Sequence, residues 1–117
     1  MAKENVILEK TFAFSERILD IYFELKNKNH YRLAEQIVGA GTSIGANVEE
    51  AQAAHSRKDF VSKMVIAARE ARETKYWLRL FNRDELLKDH KHLPFLYSEI
   101  DQIISILNSI IKSSRES

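Results

Sequence analysis

The stretch "VGAGTSIGANVEEAQ", residues 38–52, holds all three glycines of a 117-residue chain, Gly39, Gly41 and Gly45, inside a run that is apolar at helical spacing. How these glycines are read decides the fold. A phosphate-cradling loop has a defined context: G-x-x-x-x-G-K-[ST] for a Walker loop, or G-x-G-x-x-G after a strand for a dinucleotide fold. Here "GAGTSIG" is one residue too long for the second, no strand pattern precedes it, and no Lys-Ser or Lys-Thr follows. On a helical wheel Gly41 and Gly45 instead fall beside Ile37, Ile44 and Val48. Two glycines four residues apart make a flat patch on which a neighbouring backbone can approach closely, as small residues do between membrane helices. Each costs roughly 0.5–1 kcal/mol relative to alanine in a helix, so close packing has to offset that cost. Gly39 falls on the opposite face and is not explained this way.

The same period extends outward in both directions. Ile7, Thr11, Phe14, Ile18, Ile21 and Leu25 step by fours and threes before it. Leu33, Ala34 and Ile37 lead into it. Phe60, Met64, Ala67, Ala71, Thr74, Leu78 and Phe81 repeat the step after it, and Leu93, Leu96, Ile100, Ile103, Leu107 and Ile110 repeat it again. The breaks are legible too. "NKNH" at 27–30 ends the first segment, with Asn29 as candidate N-cap of the second. "SRKD" at 56–59 has the form of a capping box on Ser56. "NRDELLKDHKHLP" at 82–94 is the longest interruption, with room for a short helical turn at 84–89, and its Pro94 suits the first turn of the last helix. These segments predict an all-α fold, an antiparallel up-down-up-down four-helix bundle, as a single domain over residues 1–117.

Composition narrows the function. The chain has no cysteine, which excludes disulfides, thiolate metal sites and cysteine nucleophiles and fits a cytoplasmic setting. No signal peptide or membrane span is expected. The net charge is only +1, but residues 57–83 carry eight bases and three acids, net +5, while residues 29–56 and 84–117 are each net −2. In the positive segment Arg69, Arg72, Tyr76, Arg79 and Arg83 step by threes and fours, a stripe roughly 80° wide at 100° per residue. Such a stripe can follow phosphates, with Tyr76 stacking on a base; the competing reading is a solvated face, partly neutralised by Glu70 or Glu73. Ile66, Trp77 and Leu80 fall on a third face and point to contact with another subunit, unless the fourth helix covers them.

Signals for catalysis and cofactors are lacking. His30, His55, His90 and His92 have no recognised metal-binding spacing, so no metal or cofactor is expected; "DHKH" at 89–92 reads as a solvated loop, with a weak surface metal site at Asp89, His90 and His92 as the alternative. Glu49 and Glu50 point about 100° apart on a helix and make a poor acid–base pair. No serine has a nucleophile-elbow context. Ser43 and Asn47, four apart, suit either a ligand or a hydrogen bond that fixes helix register.

Residues 41–81 resemble the four-helix-bundle family of proteins encoded in 23S rRNA intervening sequences. The resemblance is carried by Ser43, Ile44, Asn47, Val48 and Glu50, then Phe60 in a capped helix, then Glu73, Trp77 and Leu78. The flanking periodic helices extend it over nearly the whole chain. Where the family often has a basic residue and a serine, this sequence has Gly39 and Ala40. The family is similar in fold to the accessory protein of diversity-generating retroelements, a positively charged pentameric barrel that binds nucleic acid and a reverse transcriptase. The resemblance therefore implies a homo-oligomer, a pentamer by that analogy, with RNA or DNA and a reverse transcriptase or other protein as partners. Together these readings give a non-enzymatic oligomeric accessory protein that binds nucleic acid, RNA ahead of DNA, through the third helix. The alternative is an assembly or interaction module with no nucleic-acid role.

Overall fold

Helix-forming periodicity at four places yields four helices in the computed structural model, which describes residues 2–116: α1 Ala2–Asn27, α2 Tyr31–Gln52, α3 Arg57–Phe81 and α4 Leu93–Glu116. Side-chain pairs fix their directions. Between α1 and α2, Tyr22 donates to Glu35, Ile18 faces Gly41 and Thr11 faces Gly45, so the numbers run oppositely. Leu78 with Tyr97 and Lys75 with Asp101 do the same for α3 and α4, as do Asp20 with His92 and Lys10 with Glu99 for α1 and α4. Each helix packs on its two neighbours in the order α1–α2–α3–α4–α1, and diagonal pairs keep their backbones apart. The result is an all-α, antiparallel four-helix bundle. It measures 47 × 21 × 19 Å, and a 25-residue helix such as α3 covers about 37 Å of that length at 1.5 Å per residue. No helix among the described residues is long and apolar enough to cross a membrane.

The core is the sum of the four apolar stripes. Ile7, Phe14, Ile18, Ile21 and Leu25 of α1 meet Ile37, Ile44 and Val48 of α2, Met64, Leu78 and Phe81 of α3, and the leucines and isoleucines of α4. Burying each such large side chain contributes about 1.5–3 kcal/mol. Leu33 and Phe60 sit only half-buried at its margin. Two core positions are polar. Thr11 and Thr74 are buried, and each turns its hydroxyl back to the carbonyl four residues earlier, Ile7 at 2.7 Å and Glu70 at 2.8 Å. That bond satisfies the hydroxyl without a partner from another helix.

Helix ends differ in part from the expectations. Asn29 is not an N-cap. It sits in the left-handed region (φ 68°) two residues beyond the end of α1, where the His30 N–H reaches the Leu25 carbonyl and its own N–H reaches the Lys26 carbonyl, a Schellman closure. His30 precedes α2 with no side-chain cap. Ser56 does cap α3, its Oγ accepting the Asp59 N–H at 3.0 Å. Residues 83–89 form a chain of turns and no helix, closed by Asp89 at φ 71° and anchored by the buried Leu87. The Tyr97 hydroxyl donates to the Leu78 carbonyl at 2.7 Å, satisfying an acceptor in the last turn of α3.

Candidate nucleic-acid interface

The rotation of α3 about its axis is set by Met64, Ala67, Ala71, Thr74, Leu78 and Phe81, all buried. With that face inward, Arg69, Arg72, Tyr76 and Arg79 point outward and are exposed, Tyr76 at 52 %. Tyr76 meets Trp77 edge-on at 5.2 Å and keeps its other surface free of ring contacts. Among the described residues none of the three arginines is in an ion pair. The nearby carboxylates are engaged elsewhere: Asp59 by Lys63, Asp101 by Lys75 and Glu85 by Arg83. Glu73 accepts the Trp77 indole N–H at 3.1 Å. Burial raises the Glu70 carboxyl above its ordinary range, and the charge of Glu73 adds to that shift. Arg69 opposes the rise at Glu70, so Glu70 and Glu73 offset part of the charge, and the face keeps an excess of cations, the condition for a polyanion to be attracted.

Arg83 departs from the stripe. α3 ends at Phe81, so Arg83 lies in the turns that follow and binds Glu85 through Nε at 2.7 Å. That bond and the Glu85 charge raise the guanidinium pKa still further. In the other direction the cationic face runs on past Arg69. Lys58, Ser62 and Val65 continue the same 4-3 step toward the N-terminus, and Arg57 stands beside them; the period extends there by about three turns. Arg115, brought to the same place by the end of α4, is visible only in the folded chain.

The residues read as helix packing lie at the α1–α2 seam. A Cβ built on Gly41 would stand 2.8 Å from Cγ1 of Ile18, and one on Gly45 would stand 3.3 Å from the Thr11 carbonyl oxygen. Nothing lies within 4 Å of a Cβ on Gly39. Asn47 donates its amide to the Ser43 carbonyl at 2.9 Å, an intrahelical bond. Ser43 itself is half-buried.

The three residues read as an oligomer contact do not form one exposed patch. Ile66 and Leu80 are exposed, but Trp77 is partly buried against the core, its ring 6.1 Å from that of Phe81. A second set of exposed apolar residues lies along α1, where Phe12 (64 %), Leu19 and Phe23 (56 %), seven and four residues apart, share a face away from the core. The inward period of that helix is the stronger signal in the sequence, and the outward residues stand apart from it. The His90 and His92 rings lie 5.4 Å apart; His92 pairs with Asp20 at 3.1 Å, and its backbone N–H donates to Nδ1 of His90. No group of three His, Cys, Asp or Glu side chains among the described residues is arranged to hold a metal ion.

The fold and this face define a four-helix-bundle protein with a cationic outer helix. Residues 3–109 match the family described as 23S rRNA-intervening sequence protein, and the chain belongs to that family. A crystal structure from Bacteroides thetaiotaomicron, described as a protein with unknown function from the S23 ribosomal protein family, is similar to this chain. It is 39 % identical with a TM-score of 0.85, covering 94 % of this chain and 98 % of that one. No curated protein matches the chain.

Proposed function

We propose that this protein is a non-enzymatic oligomeric accessory protein that binds nucleic acid, RNA ahead of DNA, on the outer face of α3. The observation that supports this is the set of Arg69, Arg72 and Arg79, exposed and without ion pairs among the described residues, with the exposed ring of Tyr76 between them. Guanidinium groups one and two helical turns apart, as in Arg69, Arg72 and Arg79, suit phosphates along a strand, and the tyrosine between the last two suits a stacked base. Three arginines on one subunit give weak binding. A ring of subunits repeats the face and raises avidity without new contacts. Five subunits, and a reverse transcriptase as protein partner, are what the likeness to the retroelement accessory protein suggests. The test is a titration of labelled structured RNA and labelled single-stranded DNA with the intact protein at about 50 mM salt, the low end for phosphate contacts. Binding to both, tighter for RNA, is the expected result.

A second reading has its own support. Phe12, Leu19 and Phe23 on α1 form an apolar stripe of the kind that marks protein contacts. On that reading the protein is an assembly or interaction module, and absence of nucleic-acid binding at low salt would favour it.

A further inference from the structure

We propose that the groove between the N-terminal half of α3 and the end of α4, which adjoins the arginine stripe and shares Arg69 with it, is a docking site for an acidic amphipathic helix of a partner protein. This goes beyond nucleic-acid binding and does not depend on it. The groove has a volume of about 650 Å³, within the range of functional clefts. Its floor is aliphatic: Val61 and Val65, half-buried against the core, and the exposed Ile66. Its rim carries Arg57, Lys58 and Arg69 from α3 and Arg115 from α4, and no carboxylate lines it. All four cations are exposed, and none is in an ion pair among the described residues.

Charge complementarity therefore specifies an anionic occupant, and the floor specifies what kind. Nucleobases gain their binding energy by stacking on aromatic faces, and none of the lining residues is aromatic. Tyr76 lies ten residues beyond Ile66, about 15 Å along the helix at 1.5 Å per residue. An aliphatic floor inside a cationic rim instead matches a short helix that lays leucine-type anchors, spaced three and four apart, into the groove and turns Asp and Glu toward the rim. Two helices of this chain form the walls, so the third would complete a local three-helix contact.

The test is NMR titration of the isotope-labelled full chain with a capped synthetic peptide of about four turns, roughly 14 residues. The peptide carries Leu on one helical face and Glu elsewhere. Three comparison probes are a shuffled peptide of the same composition, a peptide with Lys in place of Glu, and an oligothymidylate of roughly ten nucleotides, a length that single-strand sites accept. The amphipathic acidic peptide should shift the amides of Val61, Ser62, Val65 and Ile66. Arg57→Glu combined with Arg115→Glu should weaken it by about tenfold, the scale of two exposed charge contacts, and Ile66→Asp should weaken it independently. All these positions are exposed, so the variants should retain the parent circular dichroism spectrum. No shifts at about 1 mM peptide, enough to half-saturate a millimolar site, would overturn the proposal. So would equal binding of the shuffled or lysine peptide, or oligothymidylate shifting the same four amides. Undiminished peptide binding by both variants would place the contact elsewhere and also refute it.

Discussion

The glycine seam between α1 and α2 allows a stability series whose sign changes within one helix. Gly41→Leu places a Cβ 2.8, 2.9 and 3.0 Å from three side-chain carbons of Ile18. Ile18 is fully buried, and a β-branched residue in a helix has one strongly preferred rotamer, so it yields poorly. Overpacking of this kind costs about 1–3 kcal/mol, occasionally more. Against it stands the propensity gain of replacing a helical glycine, up to about 1 kcal/mol. The net expectation for Gly41→Leu is a loss of about 2 kcal/mol. Gly45→Leu should lose a similar amount, because its Cβ would meet the Thr11 carbonyl oxygen at 3.3 Å and a backbone atom cannot rotate away. Gly39→Ala meets open space and keeps only the propensity gain, a stabilisation of about 0.5–1 kcal/mol. Urea denaturation followed by circular dichroism, at one protein concentration because assembly shifts apparent stability, reads all three. With a slope of about 1–3 kcal/mol per molar urea, a 2 kcal/mol loss lowers the midpoint by roughly 1 M. An unchanged midpoint for Gly41→Leu, or a lowered one for Gly39→Ala, would refute the reasoning that only the inner two glycines serve helix contact.

Other measurements test separate parts of the account. Ser56→Ala removes the cap of α3 and should cost about 1 kcal/mol in the same assay. Tyr97→Phe removes the hydroxyl that satisfies the Leu78 carbonyl and should cost about 1 kcal/mol, with its thermal midpoint reporting the loss. Burial holds the His90 pKa below its ordinary 6.5, with His92 and then Lys91 and Lys28 adding to that depression and Glu24 opposing it. The unfolded chain therefore binds this proton first, and stability falls as pH drops through about 6.5. His90→Asn should flatten that dependence, and an unchanged pH profile would contradict it. Sedimentation equilibrium at micromolar concentration should show a closed oligomer, and Phe12→Asp with Phe23→Asp should reduce it to a monomer; a monomeric parent would remove the assembly.

The fold was legible because its strongest signal is also its main driving force. The 4-3 steps from Ile7 to Leu25 and from Leu93 to Ile110 are the residues that the bundle buries. Local chemistry was legible where one mechanism applied, as at Ser56. It misled where one residue type serves two roles: Asn29 suits both an N-cap and a left-handed helix end, and only the chain direction at that turn selects the second. Arg83 continued the arginine step in sequence, but α3 stops at Phe81. Trp77 read as surface because period alone does not show that a large ring can lean back onto Phe81. Arg115 joins Arg57 through the length of two helices, which no local pattern encodes.

The most direct test of the central claim compares the parent with Arg72→Glu combined with Arg79→Glu, using fluorescence anisotropy of labelled RNA between about 50 and 200 mM salt, the range over which phosphate contacts lose affinity. Both positions are exposed and free of ion pairs among the described residues, so the double variant should keep the parent helicity and sedimentation. The account predicts that parent affinity falls steeply with salt, with a slope of about −0.7 per phosphate contact on single strands, and that the double variant does not bind. Tight binding by the double variant, or no binding by the parent at about 50 mM salt, would contradict the claim that the outer face of α3 receives nucleic acid.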